Sequence, residues 1–252
     1  MLSALVVKAS FFLIVRLWFD VMPGLATPGG DNGARPRSAP RRILFGSVLA
    51  LRQARLKLLV AYSTVAQIGY LFLMFPLAVA GGDPWSAEAW NGGVLQTVSH
   101  AFAKAAMFMA AGLVAERARP RPASPSSAGI RPGDADDRLR LRASAALSLM
   151  GLPPSGGFAA KWLLLQASVE SGQWAWAVIM LVGGLLAGGY VYRVIAPALA
   201  DAPASLVKMP ASRRREAVAL ALALGAVLLG FAPEEFSSLL QIGQPLAMVA
   251  LQ

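Results

Sequence analysis

The chain has 252 residues, 56% of them hydrophobic and 14% charged, with a mean hydropathy of +0.57. A soluble domain of this size cannot hide that much apolar surface, so the composition points to a polytopic membrane protein with about seven crossings of roughly 20 residues each. The absence of cysteine and the single histidine exclude disulfides, iron–sulfur ligation and the usual zinc clusters. The net charge of +10 is confined to loops between apolar runs, which argues against a nucleic-acid-binding face.

The apolar runs fall at 2–22, 43–51, 56–80, 93–115, 143–168, 173–197, 216–232 and 235–251. In the first, SALVVKASFFLIVRLW, Lys8 sits mid-run. Two readings fit it: the ammonium snorkels along its four-carbon stem to the interface, or it is buried where it can gain and lose a proton. Lys8 and Arg16 interrupt the run and no small-residue cleavage site follows, so it does not read as a signal peptide.

In the run that opens RLKLLVAYSTVAQIGYLF, Lys57 heads the helix as an interfacial anchor, and Ser63 and Gln67 are one turn apart. The next, QTVSHAFAKAAMF, places Gln96, His100 and Lys104 four residues apart on one slanted polar stripe. Such a stripe is either satisfied against neighbouring helices or serves a proton path, and an ionisable pair one turn apart favours the path. In GLPPSGGFAAKWLLLQ, Pro153, Pro154, Gly156 and Gly157 are expected to break the helix, with Lys161 a turn later. The alternative is an ordinary turn with Lys161 near the interface. Unaided, the pattern puts the next reversal at 169–172.

The loops alternate in charge. Arginine collects in 23–55, 116–142 and 197–215, whereas 81–92, 169–172 and 233–235 carry only acids among their charges. The positive-inside rule places the arginine-rich loops in the cytoplasm of a cell with this chain in its plasma membrane. The stretches 23–42 and 116–142 are rich in Pro, Arg, Ser and Gly without helical period, and are expected to be disordered.

Four stretches together, KLLVAYSTVAQIGY, SHAFAKAAMFMAAG, SLMGLPPSGGFAAKW and SALVVKASFFLIVRLW, resemble the antiporter-like, proton-conducting subunits of complex I (NADH:quinone oxidoreductase), Mrp-type cation/proton antiporters and membrane-bound hydrogenases. The resemblance covers most of residues 1–200 in the family's order. It implies an all-α transmembrane bundle of six or seven spans with a broken helix, corresponding to the C-terminal half of an inverted-repeat subunit. Residues 1–55 would be a remnant of the first repeat, 56–232 the second, and 233–252 a terminal helix, together one membrane domain.

The resemblance further implies that Lys8 matches the lysine of the first broken helix, His100 and Lys104 the linking helix, and Lys161 the lysine of the second broken helix. Ser63, Gln67, Gln96 and Lys57 would line the path. The partners implied are lipid, other membrane subunits, and H⁺ or Na⁺. No nucleotide motif, flavin site or metal ligand set appears, so no cofactor and no enzyme activity of its own are expected.

The departures matter too. The glutamate that partners the family's first lysine has no counterpart, and a further lysine expected near 31–42 is replaced by Arg- and Pro-rich sequence. Preserved spacing with lost composition suggests that 27–42 and 116–142 are frame-shifted, with Met1 an internal start. The family pattern also puts the outer turn near 151–157 and joins 158–195 into one broken crossing. A non-conducting structural subunit, or a truncated gene product, is the rival reading of the whole.

Overall fold

The computed structural model describes residues 2–21, 38–53, 56–78, 84–117, 153–199, 213–231, 237–240 and 243–244. All regular structure among them is helical. The helices are α1 (Leu2–Arg16, continued by a π-helical turn Leu17–Val21), α2 (Ser38–Arg52), α3 (Leu56–Phe72), α4 (Met74–Leu77), α5 (Pro84–Arg117), α6 (Gly156–Glu170), α7 (Trp174–Leu199), α8 (Arg213–Leu228) and α9 (Ser237–Leu240). The disorder expected of 23–42 and 116–142, and the frame shift expected of 27–42 and 116–142, lie outside the described residues except at their ends, where the expectation of disorder is corrected: Ser38 to Arg42 are helical as the start of α2, and Glu116 and Arg117 as the end of α5.

The bundle is organised by α5, whose 34 residues make a rod about 51 Å long at 1.5 Å per residue. That exceeds a hydrocarbon core of about 30 Å. Helix α3 runs antiparallel to it, with Gly93 of α5 against Met74 and Lys104 of α5 reaching Val60. Helices α2 and α3 form a close antiparallel pair in which Gly46 meets the Ala66 backbone and Gly69 meets Ile43 and Ala39. Small residues at a crossing let backbones approach and gain dispersion contacts, the main attraction between helices when both faces could equally meet lipid.

Two shorter helices divide the length of α5 between them. Helix α6 covers its N-terminal half: Gly156 abuts Ser99, and Ala160 and Leu164 abut Gly92. Helix α8 covers its C-terminal half, with Gly225 against Phe102 and Ala219 clustered with Ala110 and Leu113. The two meet halfway along α5. There Gly230, just past α8, lies so close to the Pro154 carbonyl and the Ser155–Gly156 peptide that any Cβ would collide.

The chain reverses at Ser171–Gln173, between α6 and α7, with Gly172 in the left-handed region at φ +70°. Helix α7 then runs antiparallel to α3: Gln173 donates to the Pro76 carbonyl, Tyr70 to the Met180 carbonyl, and Gln67 to the Tyr190 hydroxyl. The unaided expectation of a reversal at 169–172 therefore describes the structure better than one broken crossing over 158–195.

An aromatic cluster fastens α1 to this core. Phe75 touches Phe11, Trp18, Phe19 and Phe72 at ring-centroid distances of 5.5–5.9 Å, each such pair contributing about 0.5–1.5 kcal/mol beyond its burial. Past α9, Arg16 of α1 donates to the Gly243 carbonyl and Trp90 of α5 to the Leu240 carbonyl, tying the C-terminal segment to α1 and α5.

Among the described residues seven helices have 15 or more residues. By length and composition alone only Leu58–Leu77 and Trp174–Arg193 qualify as membrane spans among the described residues. The others fall short for physical reasons. The helices of 15 or 16 residues without a continuation reach only about 22–24 Å, α1 carries Lys8 and Arg16 and passes into a π-helical turn, and α5 carries its polar stripe through its middle.

Candidate functional site

The turn before α6 puts irregular backbone at the depth of the middle of α5. Pro153 and Pro154 form the turn and Ser155 caps the helix, its hydroxyl accepting from the Phe158 N–H at 3.2 Å. Gly156 and Gly157, expected to break a helix, are instead the first turn of α6. They suit that place because the cap satisfies an N-terminal donor, and because at Gly156 a Cβ would press on Leu229 and Ser99. Residues before Pro153 lie outside the described residues, so the structure describes only the C-terminal side of the expected break.

At that depth the polar groups gather. A small pocket, with room for about one water molecule, is lined by Gln67 of α3, by Gln96, Ser99, His100 and Ala103 of α5, and by Gly157 and Lys161 of α6. His100 is 3% exposed, and neither ring nitrogen has a hydrogen-bond partner among the described residues. The Ser99 hydroxyl and Gln96 Oε1 are likewise buried and unpartnered there. Buried polar groups are normally paired, because an unmade hydrogen bond costs about 1–3 kcal/mol. Four such atoms around one pocket mark a place built for polar contents.

Lys104 has the opposite environment. It is fully buried, and its ammonium donates to the Val60 carbonyl and to Ser63 Oγ, both at 2.6 Å. Residues four apart on a helix advance by about 40° beyond a full turn. The stripe therefore winds, so that Gln96 and His100 face the pocket while Lys104 faces α3. Ser63 accepts from Lys104 and donates its own proton to the Val60 carbonyl at 2.9 Å.

Gln67 and Gln96 join three helices. Gln96 Nε2 donates to Gln67 Oε1 at 2.9 Å, and Gln67 Nε2 donates to the Tyr190 hydroxyl of α7 at 3.3 Å. Lys161 is partly buried, with its ammonium 4.7 Å from the centre of the Tyr70 ring. Lys8 is buried at 6% exposure on α1 rather than laid along an exposed face, which disfavours snorkelling. Lys8, Lys104 and Lys161 all lie within electrostatic range of His100. Lys57 opens α3, but its side chain lies outside the described residues.

Sequence reasoning did not single out Tyr70, Ser99 or Tyr190. Ser99 follows Gln96 by three residues and Tyr70 follows Gln67 by three, so the helical spacing that found the stripe would have reached both. Tyr190 had no such signal, since only the packing of α7 brings it to Gln67.

The family model described as "NADH:quinone oxidoreductase/Mrp antiporter, TM" matches residues 1–187, which include every element lining the pocket. The chain belongs to this family. Among relatives of the NADH:quinone oxidoreductase/Mrp antiporter family, NADH-quinone oxidoreductase subunit N of Desulforudis audaxviator is 33% identical over 198 residues, covering 77% of this chain and 37% of the relative. A probable K(+)/H(+) antiporter protein of Rhizobium meliloti is 32% identical over 169 residues, covering 67% and 16% respectively.

Among solved structures, the Mrp complex from Dietzia sp. DQ12-45-1b aligns with a TM-score of 0.72 at 22% identity, over 97% of this chain and 53% of that one. A chain of the membrane-bound sulfane sulfur reductase, an archaeal respiratory membrane complex, aligns at 0.73 with 21% identity, over 99% and 48%. At such identities these structures speak for the fold alone. The chain spans less than half the length of the curated relatives it matches, from 16% to 47%. The resemblance drawn from four sequence motifs is thus the family the chain belongs to, and a membrane family.

Proposed function

We propose that this chain moves protons, or a cation in exchange for protons, across the membrane as an antiporter-like part of a larger respiratory or Mrp-type complex. The observation that carries this reading is His100, a buried imidazole with both nitrogens open to a polar pocket that it shares with Lys161. An imidazole can take a proton at one nitrogen and release one from the other, so a group placed this way links donors on either side of it.

Lys161 on α6 and Lys104 on α5 would be the nearest exchange partners, and Lys8 on α1 the next. Inside a low-dielectric bundle a proton gained at one of them is felt at the rest, because Coulomb energies there are many times those in water. Lys104, held by the Val60 carbonyl and the Ser63 hydroxyl, has neutral acceptors that support the ammonium without fixing it as a carboxylate would. The half-length of α6, starting mid-depth beside His100, supplies irregular backbone where a watery path needs it.

The wider setting of the proposal follows the relatives. They are subunits of complexes, which supports partner membrane subunits for this chain and an ion-moving rather than electron-moving role. In the proposed topology the long helices cross the bilayer as half of an inverted-repeat subunit, with 116–142 and 197–215 in the cytoplasm; the arginines at the start of α2 depart from the expected rule, because α2 runs antiparallel to α3 and sets Arg42 over Phe72, toward the end of the bundle from which α5 starts.

The test is proton flux into liposomes holding the purified chain, with His100→Gln beside it. Gln keeps size and polarity but does not take up a proton near neutral pH, so flux is expected to fall by at least about a hundredfold, the lower end of the range for loss of a positioned proton carrier. Undiminished flux in His100→Gln would contradict the reading.

A further inference from the structure

Tyr70 has no role in the path described above, yet it is fixed from two sides. Its hydroxyl donates to the Met180 carbonyl of α7 at 3.1 Å. That approach depends on Gly183, where a Cβ would strike the Tyr70 hydroxyl and Ile43. With 1% of its surface exposed, the ring cannot swing aside, and its face is presented to α6, where the Lys161 ammonium sits 4.7 Å from the ring centre. This is inside the roughly 6 Å within which an aromatic face attracts a cation.

We propose that Tyr70 is a positioning residue for Lys161: its ring, locked by α7, seats the ammonium beside the pocket shared with His100. The chemistry of the seat matters. Lysine is a compact charge on a flexible stem, free to point in many directions unless something holds it. A carboxylate would hold it but would also pin its proton. An aromatic face gives direction without a counter-charge, so the proton remains exchangeable. Among the described residues that line the pocket with Lys161, the polar groups are His100, Gln96 and Ser99 of α5 and Gln67 of α3, and of these His100 is the one that titrates.

The part of this proposal that concerns conduction rests on the proton-path reading; the contact itself does not. The test replaces Tyr70 in the full chain by Phe and then by Phe bearing increasing numbers of ring fluorines, which keep the shape while draining the π face. Each step is made in the native background and in Lys161→Met. Melting temperature and liposome flux are read for all.

Tyr70→Phe removes the bond to Met180 and should lower the melting temperature equally in both backgrounds. Fluorination should then lower it progressively, by about 2–4 °C in total, only where Lys161 is present, with flux falling in the same order. A fluorine series that is identical in both backgrounds would overturn the proposal, because the ring would then merely fill space. A lysine-dependent series with no flux in any variant would uphold the contact and overturn the proton-path reading instead.

Discussion

His100 and Lys104 stand one turn apart on α5, yet one has no hydrogen-bond partner among the described residues and the other is held by two acceptors from α3. A buried ammonium needs such acceptors, since leaving a charge unpaired in an apolar surround costs more than any single packing contact returns. Ser63→Ala removes one of the two. The expected loss is about 1–2 kcal/mol, read as a fall of a few degrees in melting temperature; no change would mean that Lys104 finds another acceptor without cost. The four-residue spacing of Gln96, His100 and Lys104 was legible because helical period alone generates it. The different fates of His100 and Lys104 were not, because the winding of the stripe only matters once α3 and α6 stand on either side of it. Tyr70 escaped notice for the same reason: a tyrosine in an apolar run is unremarked until Gly183 of α7 and Lys161 of α6 arrive against it.

At the scale of elements, the division of α5 between α6 and α8 is what brings irregular backbone to mid-depth. The join depends on Gly230 lying against the Pro154 carbonyl. Gly230→Val should force the two helices apart and cost about 1–3 kcal/mol, the range for overpacking a tight contact, seen as a lower melting temperature and lower flux together. Unaltered stability would show that the join has slack. Similarly, Phe75→Ala opens the cluster that fastens α1, and with it Lys8, to α3 and α4. A loss of about 3 kcal/mol is expected from thermal unfolding, and a loss near zero would place the grip on α1 elsewhere. From sequence, the prolines of GLPPSGG pointed to an interruption, since a proline lacks the donor a helix interior needs; among the described residues they stand in the turn that precedes α6. That Gly156 and Gly157 open α6 was not legible, because composition cannot distinguish a glycine that ends a helix from one that begins it under a close neighbour. Helix α2 was underestimated in the same way. Its arginine-bearing start, Ser38 to Arg42, is helical, with Arg42 over the Phe72 ring at 4.6 Å.

For the molecule as a whole, hydropathy gave the class and four motifs gave the family, because both are written in local sequence. The proposed orientation is open to direct test, since the chain has no cysteine of its own. A cysteine introduced as Ser126→Cys should react with an impermeant thiol reagent only from the cytoplasmic side, and Asp83→Cys only from the other; the reverse pattern would invert the topology. The central claim is that Lys8 and Lys161 are members of one proton path through the bundle. It is tested most directly by proton flux into liposomes containing the native chain, Lys8→Ala or Lys161→Ala, each shown to be inserted. The account predicts flux from the native chain and its loss in both variants. Equal flux in all three, or none from the native chain, would contradict it.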